Sequence, residues 1–361
     1  MSPKRTPRLI TVAAAQLGPN NVDMSRDEIL ARLLKHMDDA AAQGVRLIAF
    51  PELALTTFFP VMIMHDPEDV SKYFESASPS NPYGVLETPH ARPLVEKANA
   101  LGMDFYLGYA ERWTGPDGRS TDFNTTLYYS VAAGKAVAKY RKVHLPGTKV
   151  PVERPNTFQQ LEKRYFTPGD IGFQAFRAPG LIGDALKAED VDGSPDSGNP
   201  EGKGDPILGM LICNDRRWPE AWRAYGLQGA ELVIEGYNTT AWAPQHEGTP
   251  QEQTADADFH HRLSCQAGSY QNAVWSINVA KCGEENGQCM IGGSMIIDPN
   301  GKVVAESKTL EDELVVATID LTACRKGKDA VFNFAKHRRP EHYGIIPNQV
   351  GAKEIPLLGR S

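Results

Sequence analysis

The order of apolar and polar positions divides the chain into strand-length runs interleaved with helical repeats. Residues 9–15, LITVAAA, predict a first strand, and Ser25-Arg-Asp-Glu28 has the spacing of a capping box that opens a helix. Ile29, Leu33, Met37 and Ala40 then recur at helical spacing, and Gly44 fits the stop. Residues 45–50 predict a second buried strand that ends at Pro51-Glu52. The stretch 66–90, rich in Asp, Ser, Pro and Gly, is expected to be mostly loop, followed by a helix over 93–101 and a strand over 105–110. Residues 125–131 and 136–140 flank Gly134-Lys135 as a hairpin. The run 207–212, ILGMLI, is apolar at nearly every position, which suits a strand buried on both faces. It delivers Cys213 to a turn made by Asn214 and Asp215, and Pro219-Glu220 fits the first turn of the helix that follows. More strands are expected over 231–235, 273–279, 290–297, 303–306 and 314–319, with a helix carrying Phe259, Leu263 and Gln266. Strand and helix alternate, give way to hairpins, and then repeat that order. The pattern predicts two mixed sheets stacked face to face with helices outside.

Composition narrows the class. A chain of 361 residues could hold two cores, but no linker divides it, so a single domain over 1–361 is expected. Residues 178–206, dense in Gly, Pro, Asp and Ser, are expected to form a surface loop, and a tail is expected from about 345. The GKG inside that loop lacks the spacing of a phosphate-binding loop. A net charge of −7 argues against a nucleic-acid or anionic-membrane partner. Cysteines at 213, 265, 282, 289 and 324, an odd set without CxxC pairs, argue against a disulfide framework and a structural zinc site. The simplest compartment is a reducing cytoplasm. The His260-His261 pair has no companion at metal spacing, so no metal is expected. No apolar run approaches the roughly 20 residues of a membrane-spanning helix, and the start of the chain reads as a strand rather than a signal peptide.

The candidate chemistry lies at strand ends. Glu52, Lys142 and Cys213 each follow a predicted strand, where neighbouring strands of an α/β sheet bring side chains together. Each has a plainer reading: a solvated loop acid, a surface lysine and a buried structural cysteine. Together they make a complete set for acyl chemistry, with Cys213 as nucleophile, Glu52 as proton carrier, and Lys142 and the Asn214 amide as oxyanion donors. Backbone N–H groups and the neighbouring Arg216 and Arg217 are expected to make the Cys213 thiol easier to ionise than a free cysteine. The adjacent guanidinium groups also predict an anionic substrate, because planar forks match carboxylates. Alternatively, one pairs with Asp215 or Glu220 and only the other reaches ligand.

PELALTTFFP, YRKVHLPG, LEKRYFTPGD, ICNDRRWPE, GYNT and FNFAKHRRPEHYG resemble the nitrilase superfamily of carbon-nitrogen hydrolases, over most of residues 8–345. Within it, they are most similar to the members that hydrolyse N-carbamoyl-D-amino acids. The resemblance implies a four-layer αββα sandwich of α/β class, cofactor-free hydrolysis to D-amino acid, ammonia and carbon dioxide, and a Glu52, Lys142, Cys213 triad. It further implies that Glu162 orients the lysine and nucleophile, that His144 supports them, that Arg216 and Arg217 hold the substrate carboxylate, and that Asn214, Asn238 and Thr239 lie near the substrate. A homo-oligomer, dimer or tetramer, is expected. One departure stands out: Gln160 occupies the position of a family histidine just before Leu161-Glu162. Two rival readings stay open. One is a related amidohydrolase acting on a β-ureido acid, an amide or a nitrile; the other is a catalytically silent carboxylate-binding protein.

Overall fold

The protein is described by a computed structural model covering residues 7–183 and 204–357. Its first sheet contains β1 (Leu9–Gln16), β2 (Leu47–Ala49), β3 (Phe74–Ala77), β4 (Asp104–Thr114), β5 (Ser120–Ser130) and β6 (Lys135–Arg141). The second contains β7 (Phe176–Arg177), β8 (Ile207–Ile212), β9 (Leu232–Tyr237) and β10 (Trp275–Ala280). A small hairpin of β11 (Cys282–Glu285) and β12 (Gln288–Ile291) follows, then β13 (Met295–Ile297) and β14 (Val303–Glu306) complete the second sheet. The last strand, β15 (Glu313–Asp320), returns to the first sheet and runs antiparallel to β1. The strand orders are β15-β1-β2-β4-β5-β6, with β3 paired to β4, and β14-β13-β10-β9-β8-β7.

Val12, Ala14, Leu47 and Tyr106 of the first sheet pack directly on Met210, Ile212, Ile234 and Ile277 of the second. Strand alternation sends the intervening residues outward, where each sheet meets its helices. On the first sheet these are α1 (Arg26–Ala41), with the expected Ser25/Glu28 capping box, and α2 (Arg92–Leu101), closed by left-handed Gly102. On the second they are α3 (Pro219–Leu227) and α4 (Pro250–Asn272), which cover Leu211, Val233, Met295 and Ile297. The architecture is the αββα sandwich. Its two sheets are tied by Tyr106, whose hydroxyl donates to Leu211 O at 2.9 Å and accepts from Gly236 N at 3.0 Å.

Three local expectations change. The stretch 66–90 contains β3, which composition hides because it is only four residues between turns. The expected strand over 290–297 is broken at Gly292 and Gly293, both at positive φ, so that β12 pairs back on β11 instead. Most of the expected surface loop at 178–206 lies outside the described residues, but its start is not surface: Ala178, Leu181 and Ile182 are buried in the core between the sheets. Beyond residue 344 the described tail is exposed apart from the half-buried Gln349.

Candidate active site

Glu52 follows β2, Lys142 follows β6, Cys213 follows β8 and Asn238 follows β9, so both sheets contribute to one end of the sandwich. The chain packs Glu52 against two glycines. A Cβ on Gly108 of β4 would lie 2.6 Å from Pro51 O, and one on Gly236 of β9 would lie 2.8 Å from Glu52 N. Only glycine allows the two sheets to close on the backbone of this acid. Glu52, Lys142 and Glu162 are fully buried, so the readings as surface charges fail. Lys142 Nζ donates to Glu52 Oε1 at 2.7 Å and to both Glu162 oxygens at 2.7 Å. Asn124 Nδ2 donates to the same Glu52 oxygen at 2.7 Å and to Glu162 at 3.4 Å, while Asn238 N donates to Glu52 Oε2 at 3.0 Å. Glu162 reaches the cluster from a single helical turn, Glu162–Tyr165, anchored by Leu161 N on Pro60 O at 2.8 Å.

Cys213 begins a 3-10 turn, Cys213–Arg217, with φ of +51°. A left-handed conformation is strained for cysteine, and the surroundings hold it there. Its Sγ donates to Asn238 O at 3.3 Å. Asp215 fixes the turn from behind: it accepts from Tyr140 Oη at 2.8 Å, His144 N at 3.0 Å and Ile212 N at 3.2 Å, and lies 2.7 Å from His144 Nδ1.

The electrostatics correct one expectation. Burial, reinforced by the Glu52 charge, pushes the Cys213 thiol up to about 11, outweighing Lys142 and Arg216. The thiol is therefore harder to ionise than a free cysteine. Burial likewise raises the Glu162 carboxyl to about 7 against the pull of Lys142. Burial opposes the Lys142 ammonium, but charge on Cys213, Glu162 and Glu52 holds its pKa above the ordinary lysine range.

Above Cys213 opens a cavity of about 380 Å³, lined in part by Asn214, Arg217, Asn238, Thr239 and Gln160. The two arginines part company here. Arg217 is exposed in the wall, with no hydrogen bond or ion pair among the described residues. Arg216 touches the same wall but is buried, donating to Cys213 O at 2.7 Å and Thr239 Oγ1 at 2.8 Å, with Glu235 Oε1 at 3.4 Å. Its acidic partner is thus neither Asp215 nor Glu220. The His144 ring is not among the cavity's lining residues; it stacks on Trp218 with ring centroids 4.8 Å apart. Asn238 lines the cavity and also holds Glu52, with Nδ2 donating to Glu52 O at 2.9 Å. Among the described residues, no group of three or more His, Cys, Asp or Glu is placed to hold a metal ion, and no helix is long and apolar enough to cross a membrane.

The sequence profile of the carbon-nitrogen hydrolases matches residues 11–329. The chain belongs to the carbon-nitrogen hydrolase family. Similar proteins include a nitrilase of Pyrococcus abyssi, 27% identical across 93% of this chain and 99% of the relative. An N-carbamoylputrescine amidase of Arabidopsis thaliana is 26% identical across 94% and 95%, and a citrullinase of Francisella tularensis 25% across 93% and 98%. In fold, this carbon-nitrogen hydrolase is similar to one from Helicobacter pylori, with a TM-score of 0.69 at 18% identity over 94% of this chain and 99% of that one. Asn124 and Glu235 are neighbours of the site that the sequence does not single out, although Glu235 stands out as an acid inside an apolar strand, whereas Asp215, expected only as a turn residue or an arginine partner, also fixes His144 and Tyr140 behind Cys213.

Proposed function

We propose that this carbon-nitrogen hydrolase removes the carbamoyl group from N-carbamoyl-D-amino acids through an acyl intermediate on Cys213. The observation that carries the reading is the Arg217 guanidinium in the cavity above the buried Glu52, Lys142 and Cys213. A cation without a partner among the described residues, beside a nucleophile, favours a substrate carboxylate. The D configuration rests on the resemblance of the sequence motifs.

The chemistry follows from the cluster. With the thiol raised to about 11, forming free thiolate at pH 7 would cost about 5 kcal/mol, so Glu52 must take the proton as sulfur attacks. The carbamoyl oxygen gains charge, stabilised by Lys142 Nζ and by the Asn214 N–H in the first turn after the nucleophile, where helical amides lack intrahelical partners. One C–N bond breaks as Glu52 returns the proton to the departing nitrogen. Glu52 next deprotonates water, the new C–O bond displaces the sulfur, which takes that proton from Glu52 to restore the thiol, and the released carbamic acid splits to carbon dioxide and the second amine. Glu162 and Asn124 keep Lys142 and Glu52 aligned through both halves.

The test is ammonia release from matched D and L N-carbamoyl-phenylalanine and from the amide of the D form. Preference for the D carboxylate supports the reading; equal rates on acid and amide would refute it. A second reading is favoured by Asp256, a carboxylate in the same wall without a partner among the described residues. It would suit an ammonium group on a ureido compound. Citrulline and N-carbamoylputrescine belong in the same panel, since relatives are named for those activities.

A further inference from the structure

Glu235 lies in β9 beside Leu211 of β8, and alternation turns it away from the space between the sheets, toward α4. It is fully buried in a strand otherwise apolar apart from Gly236 and Tyr237. One oxygen faces Arg216 Nη1 at 3.4 Å; the other accepts from the Cys265 thiol at 3.3 Å. Burial pushes this carboxyl up to about 7, against the opposing pull of Arg216. The guanidinium also lies over the Tyr237 ring, 4.9 Å from its centroid, and the carbonyl of Arg216 accepts from Trp222 Nε1 at 3.0 Å. A charge paired and packed in this way has little freedom to turn toward a ligand. What it does hold is the carbonyl of Cys213, at 2.7 Å, in the residue whose backbone is left-handed.

We propose that Glu235 is a positioning residue: by holding Arg216 under the second sheet, it makes that guanidinium a brace for the Cys213 carbonyl and leaves Arg217 to receive the substrate carboxylate. The proposal rests on Cys213 being the nucleophile. It divides two adjacent arginines that a linear reading treats as equals, one serving the rate of bond cleavage and the other the choice of substrate. The Nε of Arg216 is buried without a partner among the described residues. Loss of the Glu235 charge would therefore let the guanidinium seek a second anion, and the substrate carboxylate is the available one.

Two variants test this, assayed on N-carbamoyl-D-phenylalanine and its amide. Glu235→Gln keeps the shape and removes the charge. It should lower kcat on both compounds by about 10- to 100-fold, the usual cost of a displaced reacting group. It should also lower KM for the carboxylate and leave that for the amide unchanged. Iodoacetamide labelling of Cys213, located by peptide mapping, should slow in parallel with kcat. The paired replacement Glu235→Leu with Arg216→Met removes both charges for apolar side chains of similar size, an exchange that buried pairs often tolerate. It should fold, keep the wild-type KM for the carboxylate through Arg217, and still show the low kcat. Wild-type kcat in either variant would overturn the proposal, because the pair would then be packing alone. Failure of both to fold, judged by circular dichroism, would also overturn it by making the pair a folding element. Wild-type labelling separates the two levels: if turnover does not depend on Cys213, the nucleophile assignment fails first.

Discussion

Lys142→Met removes the cation that bonds two buried carboxylates while nearly preserving side-chain volume. In the native cluster Nζ sits 2.7 Å from oxygens of both Glu52 and Glu162. Without it the two carboxylates are left buried together, and breaking a buried pair in this way costs about 3 to 5 kcal/mol. The cost depends on pH with a definite sign. The carboxyl pair in the folded variant holds a proton that unfolded carboxyls release near pH 4.3, so its pKa is raised on folding. Stability therefore falls as pH rises through the window between the unfolded and folded values. Wild type already shows part of this, with Glu162 raised to about 7 by burial. The variant should lie closest to wild type near pH 5, and at pH 8 its melting temperature should be lower by about 4 to 7 °C for a chain of this length. Activity falls further, since losing an oxyanion donor costs about 10² to 10³ and losing an aligned base about 10² to 10⁴. Because the two groups act as a unit, the drop should be at least 10³-fold but less than the product. Differential scanning calorimetry at pH 5 and 8, with ammonia release at saturating substrate, measures both. A melting difference independent of pH, or more than about a tenth of wild-type kcat, would rule out this role for Lys142.

Arg217→Ala should raise KM for N-carbamoyl amino acids about 10- to 30-fold, the low end for a charged contact because the side chain is exposed, with kcat little changed; steady-state kinetics on acid and amide check it. Gly236→Ala places a methyl 2.8 Å from Glu52 N and 3.0 Å from Pro51 C, both backbone atoms. It should cost about 1 to 3 kcal/mol by overpacking and about 100-fold in kcat by moving the base, read by denaturant unfolding and turnover. The Cys213 thiol, raised to about 11, should show no ultraviolet thiolate absorbance below about pH 9 when wild type is compared with Cys213→Ala. A thiolate signal at pH 7 would instead show a preformed ion pair with Lys142.

The framework was legible in sequence because periodicity and strand ends are local signals. The helix at 26–41, its cap, the apolar strand before Cys213 and the sharing of helices between two sheets all follow from patterns within one or two turns of chain. What stayed hidden is set by contacts across the chain. Nothing near Arg216 and Arg217 separates them; the distinction comes from Glu235, nineteen residues on, which pairs with the first. The raised thiol has the same origin, since neighbouring arginines suggest a thiolate but burial beside Glu52 decides against it. Asn124, in the middle of β5, looks like any polar strand residue until the fold sets it against two carboxylates.

In the proposed reaction Cys213 carries the acyl group between two half-reactions. Acid-quenching the enzyme during turnover of N-carbamoyl-D-phenylalanine, followed by intact-mass and peptide mass spectrometry, tests it directly. An added carbamoyl or N-substituted carbamoyl mass is expected on the peptide containing Cys213 and absent from Cys213→Ala. Turnover with no adduct on that peptide, together with activity retained in Cys213→Ala, would contradict it.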